Sequence, residues 1–195
     1  MSTATSESTS VPTSSAPDVS VPTAAERDAA LIGILAATAE AVAADPVRAH
    51  VRFAASGTAV GAVATDIAAR QHRFVVDEPA TLGGDDSATN PVEYALGALL
   101  GCQVVSYRFW AAHLGIQVDS IDVSAVGDLD VRGFFGLDES ARAGFSEIRL
   151  EARVSGPEVA ERYAELQRVV DAHCPVLDLF SNRTAVRTTL VVDGA

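Results

Sequence analysis

The chain has two cysteines, and each lies where a thiol could do redox chemistry. Cys102 falls in the interior of an apolar helix. Cys174 directly precedes Pro175, which suits the first position of a new helix, so its side chain is predicted to lie at an N-cap whose free amides favour a thiolate. A buried thiol and a thiol at a helix start can form an oxidation couple, because a sulfenic acid on the first condenses with the second to a disulfide. The pair therefore predicts a peroxidase cycle.

Other interpretations of the cysteines are open. Either residue could simply pack in a core, since free cysteine is among the most buried residue types. A Cys–His hydrolase would need His173 to face Cys174, which adjacency in sequence does not ensure. A closed zinc site needs ligands paired at close spacing, and the histidines show no such pairing with the thiols. We therefore expect no metal. The histidines are His50, His72, His113 and His173.

An ionised Cys102 requires a nearby cation, because an apolar environment favours the protonated thiol. A guanidinium is well suited to hold a thiolate or a peroxide oxygen. Arg70 and Arg73 lie in the segment that leads into the Cys102 helix. Arg70 is the first choice for this role.

The helix that contains Cys102 is predicted from Pro91 to about Leu114. Asn90 can cap its amides, Pro91 suits its first position, and Glu93 can complete the cap. Gly115 ends it. Apolar residues occur on nearly every face, so the helix is expected to be buried.

Alternating and helical patterns predict an α+β fold with sheets and helices in separate layers. A hairpin is expected around a turn at residues 56–58, and a second hairpin after the Cys102 helix. Helices are expected over residues 157–172 and from Pro175. The predicted strands are residues 51–55, 60–67, 70–76, 118–131, 145–154 and 184–192.

Composition divides the chain into three parts. Residues 1–24 are rich in Ser, Thr, Ala and Pro and are predicted to be a disordered tail. Residues 25–45 form an N-terminal helix that is too weakly apolar to span a membrane, and residues 46–195 form one domain. The net charge of −12 and the pI of about 4.6 argue against nucleic-acid binding. The absence of a secretory signal pattern predicts a cytoplasmic protein.

Two motifs resemble the signatures of the OsmC/Ohr family of peroxide-defence proteins. The first runs from residues 77–86 through Asn90-Pro91-Val92-Glu93-Tyr94 to Gly101-Cys102. The second is His173-Cys174-Pro175-Val176. The strand pattern around them agrees, so the resemblance covers roughly residues 47–192.

The resemblance implies an intertwined homodimer whose antiparallel sheets wrap around buried central helices, with active sites at the subunit interface. It implies a peroxidatic Cys102 and a resolving Cys174, acting on small apolar hydroperoxides in oxidative-stress defence. A thiol or dithiol, such as a lipoylated protein, would restore the cysteines, and no bound cofactor is expected. The alternative is a non-catalytic binding protein that holds a small apolar ligand at the dimer interface.

The chain departs from the family pattern at two places. Family members usually have a glutamate directly after Asn-Pro, where this chain has Val92 followed by Glu93. Their arginine usually lies near the first hairpin turn, and residues 56–58 contain none. Arg52, Arg70 or Arg73 is therefore left to take the role of this arginine, with Arg70 the first choice, and Glu93 is the candidate carboxylate.

Overall fold

A computed structural model describes residues 22–194 of the 195-residue chain. Over this range it has five α-helices and two antiparallel sheets, of three and two strands. The class is mixed α and β with antiparallel sheets, as predicted. Residues 1–21 of the predicted tail lie outside the described residues. In chain order the elements are α1 (Ala24–Ala44), β1 (Ser56–Val60), β2 (Ala64–Ala69), β3 (His72–Val76), α2 (Pro91–Leu114), β4 (Ser120–Asp128), α3 (Val131–Phe135), β5 (Glu147–Ser155), α4 (Ala160–His173) and α5 (Pro175–Ser181).

Helix α1 has well-formed ends and packs against α2. The Thr23 side chain accepts a hydrogen bond from the Glu26 amide, and the Glu26 carboxylate accepts one from the Thr23 amide at 2.9 Å. Asp45 ends the helix and caps a short 3-10 turn, Pro46–Ala49. None of the α1 side chains is fully buried. Among the helices of residues 22–194, none is both long enough and apolar enough to span a membrane.

The first sheet differs from the prediction in the position of its hairpin turn. Ser56 and Gly57 belong to β1 and pair with Ala68 and Ile67 of β2, so they do not form a turn. The chain reverses at Gly61, whose φ of +61° is easily reached only without a Cβ atom. Residues 51–55, predicted as a strand, are irregular and exposed because no described strand lies beside them.

The loop between β3 and α2 is organised around a buried carboxylate. Asp77 is 3% exposed. It accepts hydrogen bonds from the Ser87 hydroxyl at 2.8 Å, the Ser87 amide at 3.1 Å and the Asp85 amide at 3.1 Å. Gly84 fits here because a Cβ on it would lie 1.8 Å from the Glu78 carbonyl oxygen. These contacts fix the loop that precedes the N-terminus of α2.

Helix α2 begins and ends as predicted. The Asn90 side chain accepts from the Glu93 amide at 2.8 Å, and the Glu93 carboxylate accepts from the Asn90 amide at 3.3 Å. Gly115 ends the helix with φ +62°. The prediction of burial on nearly every face is wrong for a single chain, since Val105 is 67% exposed. Helix α2 packs mainly against α1, β4, α4 and α5, and these elements leave one side of the helix uncovered.

The core lies between α2, α4 and the β4–β5 hairpin. Strands β4 and β5 pair from Ser120 with Ser155 to Asp128 with Glu147, and burial alternates along both, so one face packs inward. The connection between β4 and β5 contains α3. The buried residues of this core are Tyr107, Ala111, Ile116, Val118, Leu166 and Val170.

The strand predicted over residues 184–192 is not formed. This segment follows α5 without regular structure, and Leu190 is 87% exposed. A strand needs a neighbour to satisfy its backbone N–H and C=O groups, and no described strand lies beside this segment. The alternating apolar pattern is therefore unpaired within one chain.

We expect the free energy of unfolding to depend on pH in the acid range, because of Asp77 in the loop before α2. Hydrogen bonds from Ser87, together with backbone amides, lower the pKa of Asp77 from 3.8 to about 2. Because the folded-state pKa is below the unfolded value, this stabilisation is present above pH 3.8 and is lost as the pH falls through about 2. Asp77→Asn should lower the free energy of unfolding at neutral pH and weaken this acid dependence, as measured by urea unfolding.

Asp85→Asn is the matched control, because Asp85 contributes its backbone amide to the same cluster and its side chain is exposed. This variant should retain the acid dependence of the wild type. If the free energy of unfolding of Asp77→Asn depended on pH in the same way as that of the wild type, the acid dependence would not come from Asp77.

Candidate active site

The structure brings the two cysteines together. Cys102 lies in the middle of α2, Cys174 lies at the corner between α4 and α5, and α5 packs on α2. Both are free thiols. The Cys102 sulfur lies near the Cys174 side chain, the Val176 amide and the Ser106 hydroxyl. Two thiols that are 72 positions apart in sequence therefore share one site.

Backbone hydrogen bonds of Cys174 form the corner between α4 and α5. The Cys174 amide donates to the Val170 carbonyl at 2.9 Å and closes α4. The Cys174 carbonyl accepts from the Asp178 amide at 3.0 Å, while Pro175 begins α5. Val170 is fully buried and anchors the end of α4. The corner therefore directs both the Cys174 thiol and the Val176 amide at α2.

Opposing effects act on the Cys102 thiol. Burial raises the pKa of Cys102, and the neighbouring Cys174 sulfur raises it further. Hydrogen bonds from the Val176 amide and the Ser106 hydroxyl lower it. The net result is a pKa above the usual range of a thiol, so the protonated form predominates at neutral pH in a single chain.

Cys174 is the N-cap residue of α5, as predicted. Cys174 is 2% exposed, and its side chain accepts no capping hydrogen bond from the amides of α5. The Val176 amide of α5 lies near the Cys102 sulfur and lowers the pKa of Cys102. The predicted position of Cys174 is therefore confirmed, whereas the predicted interaction of its sulfur with the free amides is not formed.

Arg70 and Glu93 lie away from the thiol pair of the same chain. Arg70 is exposed in the tight turn between β2 and β3, with φ +55°, and lies beside Phe53 and Ala69. The Glu93 carboxylate is used in the cap at Asn90. Glu93 precedes Cys102 by nine residues, which places it about 14 Å away along the axis of α2 and on the opposite side. Within one chain neither residue contacts Cys102.

Three groups near Cys102 in the chain or in space were not given a role from the sequence. Ser106 shares a helical face with Cys102, and its spacing of four residues is a usable signal. Gln103 is 1% exposed, and neither its amide oxygen nor its amide nitrogen has a partner among the described residues. The Val176 amide is a backbone group with no sequence signature.

Cavities border α5 beside this corner. A shallow cavity of about 390 Å³ is lined by His173, Cys174, Pro175 and Leu179. A second cavity, of about 440 Å³, runs along α2 and α5 past Leu99. Small molecules can therefore approach the corner and the adjoining face of α2. Over residues 22–194 no group of three or more His, Cys, Asp or Glu side chains is arranged to hold a metal.

We expect the two neighbours of Cys102 to shift its ionisation in opposite directions. Cys174→Ala removes a sulfur that raises the pKa of Cys102, so the pH midpoint of Cys102 alkylation should fall. Ser106→Ala removes a donor that lowers the pKa, so the midpoint should rise. Iodoacetamide labelling of the Cys102 peptide, followed by mass spectrometry, measures both.

The limiting rate of Cys102 alkylation at high pH serves as the control. At that pH the thiol is fully ionised, so the rate reports only the access of iodoacetamide to the sulfur. Identical midpoints in the wild type and both variants would show that neither group interacts with Cys102 in solution.

Several solved structures share this fold. An OsmC-like protein from Mycoplasma pneumoniae has a TM-score of 0.58 at 15% identity, covering 67% of this chain and 87% of that one. An organic hydroperoxide resistance protein OsmC from Legionella pneumophila has a TM-score of 0.53 at 18% identity, covering 67% and 90%. One from Elizabethkingia anophelis has a TM-score of 0.53 at 18% identity, covering 68% and 89%. At these identities the likeness establishes the fold alone.

The sequence comparison gives the family. No functionally curated protein matches the chain. The sequence model of the OsmC-like protein family matches residues 84–189, which is more than half of the chain and includes both cysteines. The resemblance seen in the two cysteine motifs is thereby confirmed. The chain belongs to the OsmC-like protein family.

Proposed function

We propose that this protein is a thiol-dependent peroxidase that reduces organic hydroperoxides. The observation that supports the proposal most directly is that Cys102 on α2 and Cys174 at the start of α5 are free thiols that lie close together where the two helices pack. The Val176 amide and the Ser106 hydroxyl also lie near the Cys102 sulfur and lower its pKa. The names of the Legionella and Elizabethkingia proteins, which refer to organic hydroperoxide resistance, also support this function.

The proposed reaction has three balanced steps. The Cys102 thiolate attacks the terminal peroxide oxygen, the O–O bond breaks, and the alkoxide leaves as an alcohol after taking up a proton. Cys102 is then a sulfenic acid. The Cys174 thiol attacks this sulfur, a disulfide forms, and water leaves. An external thiol or dithiol reduces the disulfide by exchange and is itself oxidised.

The reductant is the third component of this cycle. A dithiol, such as that of a lipoylated protein, can approach the cavity at His173 and Pro175, where Cys174 lines the wall. The reaction uses the two cysteines alone and needs no bound cofactor. Regeneration by a dithiol requires a reducing compartment, so we place the cycle in the cytoplasm.

A second copy of the chain completes the site in this proposal. Within one chain the β1–β3 sheet buries little of its surface, and Val76 is its one fully buried residue. The side of α2 at Val105 and the segment at residues 184–192 are also uncovered. Exposed apolar surface of this extent indicates an interface. A homodimer that pairs these surfaces is the arrangement we propose.

The dimer also provides the cation that Cys102 lacks. Arg70 lies at the tip of the uncovered sheet, in a turn that can reach a second chain. A guanidinium beside the Cys102 sulfur would oppose the effect of burial on its pKa. Glu93, at the exposed start of α2, is the proposed carboxylate partner of this arginine.

We expect purified protein to consume cumene hydroperoxide in the presence of dithiothreitol. One equivalent of peroxide without reductant should produce a Cys102–Cys174 disulfide, detectable by mass spectrometry. Cys102→Ser should abolish turnover. Cys174→Ser should leave the first reduction intact and let Cys102 accumulate as a sulfenic acid, because the resolving thiol is missing.

Turnover that survives Cys102→Ser would defeat the peroxidase proposal. The apolar cavity of about 440 Å³ favours the second candidate, a non-catalytic binding protein for a small apolar ligand. That function predicts stabilisation by the ligand without consumption of peroxide.

We expect the protein in solution to have twice the mass of the 20.2 kDa chain. Leu190→Asp should shift it to a monomer, as measured by light scattering. In an isolated chain this change would cost little, because Leu190 is already exposed, whereas at an interface it buries a charge. Ile34→Asp on α1 is the control, since Ile34 is exposed and lies outside the family match. A wild-type monomer would contradict the proposed assembly.

A further inference from the structure

His173 is the residue of the second cysteine motif that has no part in the reaction proposed above. It directly precedes Cys174 at the end of α4, and it is exposed. Both residues line the shallow cavity of about 390 Å³, together with Pro175 and Leu179 of α5. His173 and Cys174 therefore border the same open space.

A hydrogen bond of the His173 ring determines which of its nitrogens can accept a proton. Nδ1 lies 2.8 Å from the carbonyl oxygen of Val169, one turn earlier in α4. A carbonyl oxygen can only accept, so Nδ1 carries the proton of the neutral ring and Nε2 has the free lone pair. Within residues 22–194 Nε2 makes no hydrogen bond. The basic nitrogen of His173 is therefore free.

The His173 ring is also held by an indole of the neighbouring helix. Trp110 of α2 is half-buried, and its ring centroid lies 4.5 Å from that of His173. His113, one turn further along α2, packs on the same indole at 5.4 Å. Together with the hydrogen bond to Val169, this packing restricts the imidazole to an orientation in which Nε2 points away from the Val169 carbonyl.

The charged and titratable groups around this ring leave it unpaired. On α5, Asp178 lines the same cavity, and its carboxylate accepts a hydrogen bond from the Asn182 side chain at 2.7 Å. On α2 the titratable neighbour is His113, and on α4 it is Cys174. Among the described residues no carboxylate lies within ion-pairing distance of His173. No ion pair therefore holds the ring in its protonated form.

We propose that His173 is the general base of the regeneration step, in which its Nε2 accepts the proton of the incoming thiol. This inference rests on the proposed function and adds a catalytic residue to it. Thiol–disulfide exchange requires a thiolate, and most of an ordinary thiol is protonated at neutral pH. Cys174 lines the cavity, so a thiol that enters there meets the base and the sulfur that it attacks in the same space.

The exchange balances in two steps. The reductant thiol transfers its proton to Nε2 and its sulfur bonds to Cys174, while the Cys102–Cys174 bond breaks and leaves its electron pair on the Cys102 sulfur. The Val176 amide lowers the pKa of Cys102 and so favours this departure. A second thiol bonds to the reductant sulfur and displaces Cys174, which takes the proton back from His173. Cys102 takes up the proton of the second thiol, and the reductant leaves as a disulfide.

A sharp test compares a reductant that must lose a proton with one that has none to lose. The Cys102–Cys174 disulfide is formed with diamide and then reduced with mercaptoethanol or with tris(carboxyethyl)phosphine. Iodoacetamide labelling of quenched samples follows the return of the thiols. At neutral pH His173→Gln should slow reduction by mercaptoethanol about tenfold, since only a few per cent of an ordinary thiol is ionised without a base. The phosphine should reduce the wild type and the variant at the same rate.

The pH dependence separates base catalysis from a merely structural role of His173. Above its own pKa mercaptoethanol is ionised without help, so the rates of the wild type and His173→Gln should converge as the pH rises. His113→Gln is the matched control, because His113 packs on the same indole but does not line the cavity. This variant should follow the wild type at every pH. Equal slowing of both reductants by His173→Gln, or slowing of neither, would overturn the inference.

Diamide also separates this inference from the peroxidase proposal, because it oxidises neighbouring thiols without a peroxide. If the wild type consumes no peroxide but reduction of the diamide-formed disulfide depends on His173 as described, the role of His173 is upheld while the peroxidase proposal fails. If the wild type consumes peroxide and mercaptoethanol regenerates His173→Gln equally fast, the peroxidase proposal stands and His173 is not the base. Failure of diamide to form the disulfide would contradict both.

Discussion

The site depends on one backbone corner, at Cys174. Its amide closes α4 on Val170, its carbonyl accepts from Asp178, and Pro175 starts α5 in a new direction. These bonds hold the Cys174 thiol and the Val176 amide against α2 at the position of Cys102. A continuous helix through this point would direct both groups elsewhere, because each residue adds about 100° of rotation and 1.5 Å of rise. The proline after Cys174 is therefore what joins the two sequence motifs into one site.

The second constraint on the structure is that part of α2 and most of the β1–β3 sheet stay uncovered in a single chain. Helix α2 has a covered side, which contains Leu99 and Tyr107, and an uncovered side, which contains Val105. The sheet of β1–β3 touches the rest of the described chain mainly through the stack of Phe74 on Tyr94, with ring centroids 4.9 Å apart. A sheet that buries so little apolar surface has little to offset the entropy of ordering it. We therefore expect this sheet to gain stability from contacts beyond the single chain, such as those of the proposed homodimer.

The sequence predicted those parts of the fold that depend on local contacts. The caps at Asn90, Glu93 and Gly115 defined α2 because each acts within one helical turn. The first hairpin turn was misplaced because Gly57 tolerates a strand, whereas the backbone reverses at Gly61. The strand over residues 184–192 failed because pairing is non-local, and its alternation says nothing of where a neighbour lies.

The candidate site also has a part that could be predicted from the sequence and a part that could not. Cys102 and Cys174 were found from residue type and motif, whereas their proximity depends on the packing of α5 on α2, which leaves no local pattern in the sequence. The Val176 amide had no signal in the sequence, since a backbone group leaves no pattern of residue types. The opposing effects on the pKa of Cys102 have a functional consequence. Burial raises this pKa and keeps the thiol protonated, and the lowering effects of the Val176 amide and the Ser106 hydroxyl do not reverse this. If the missing cation comes from a second chain, a free subunit has an unreactive thiol, and reactivity appears only on assembly.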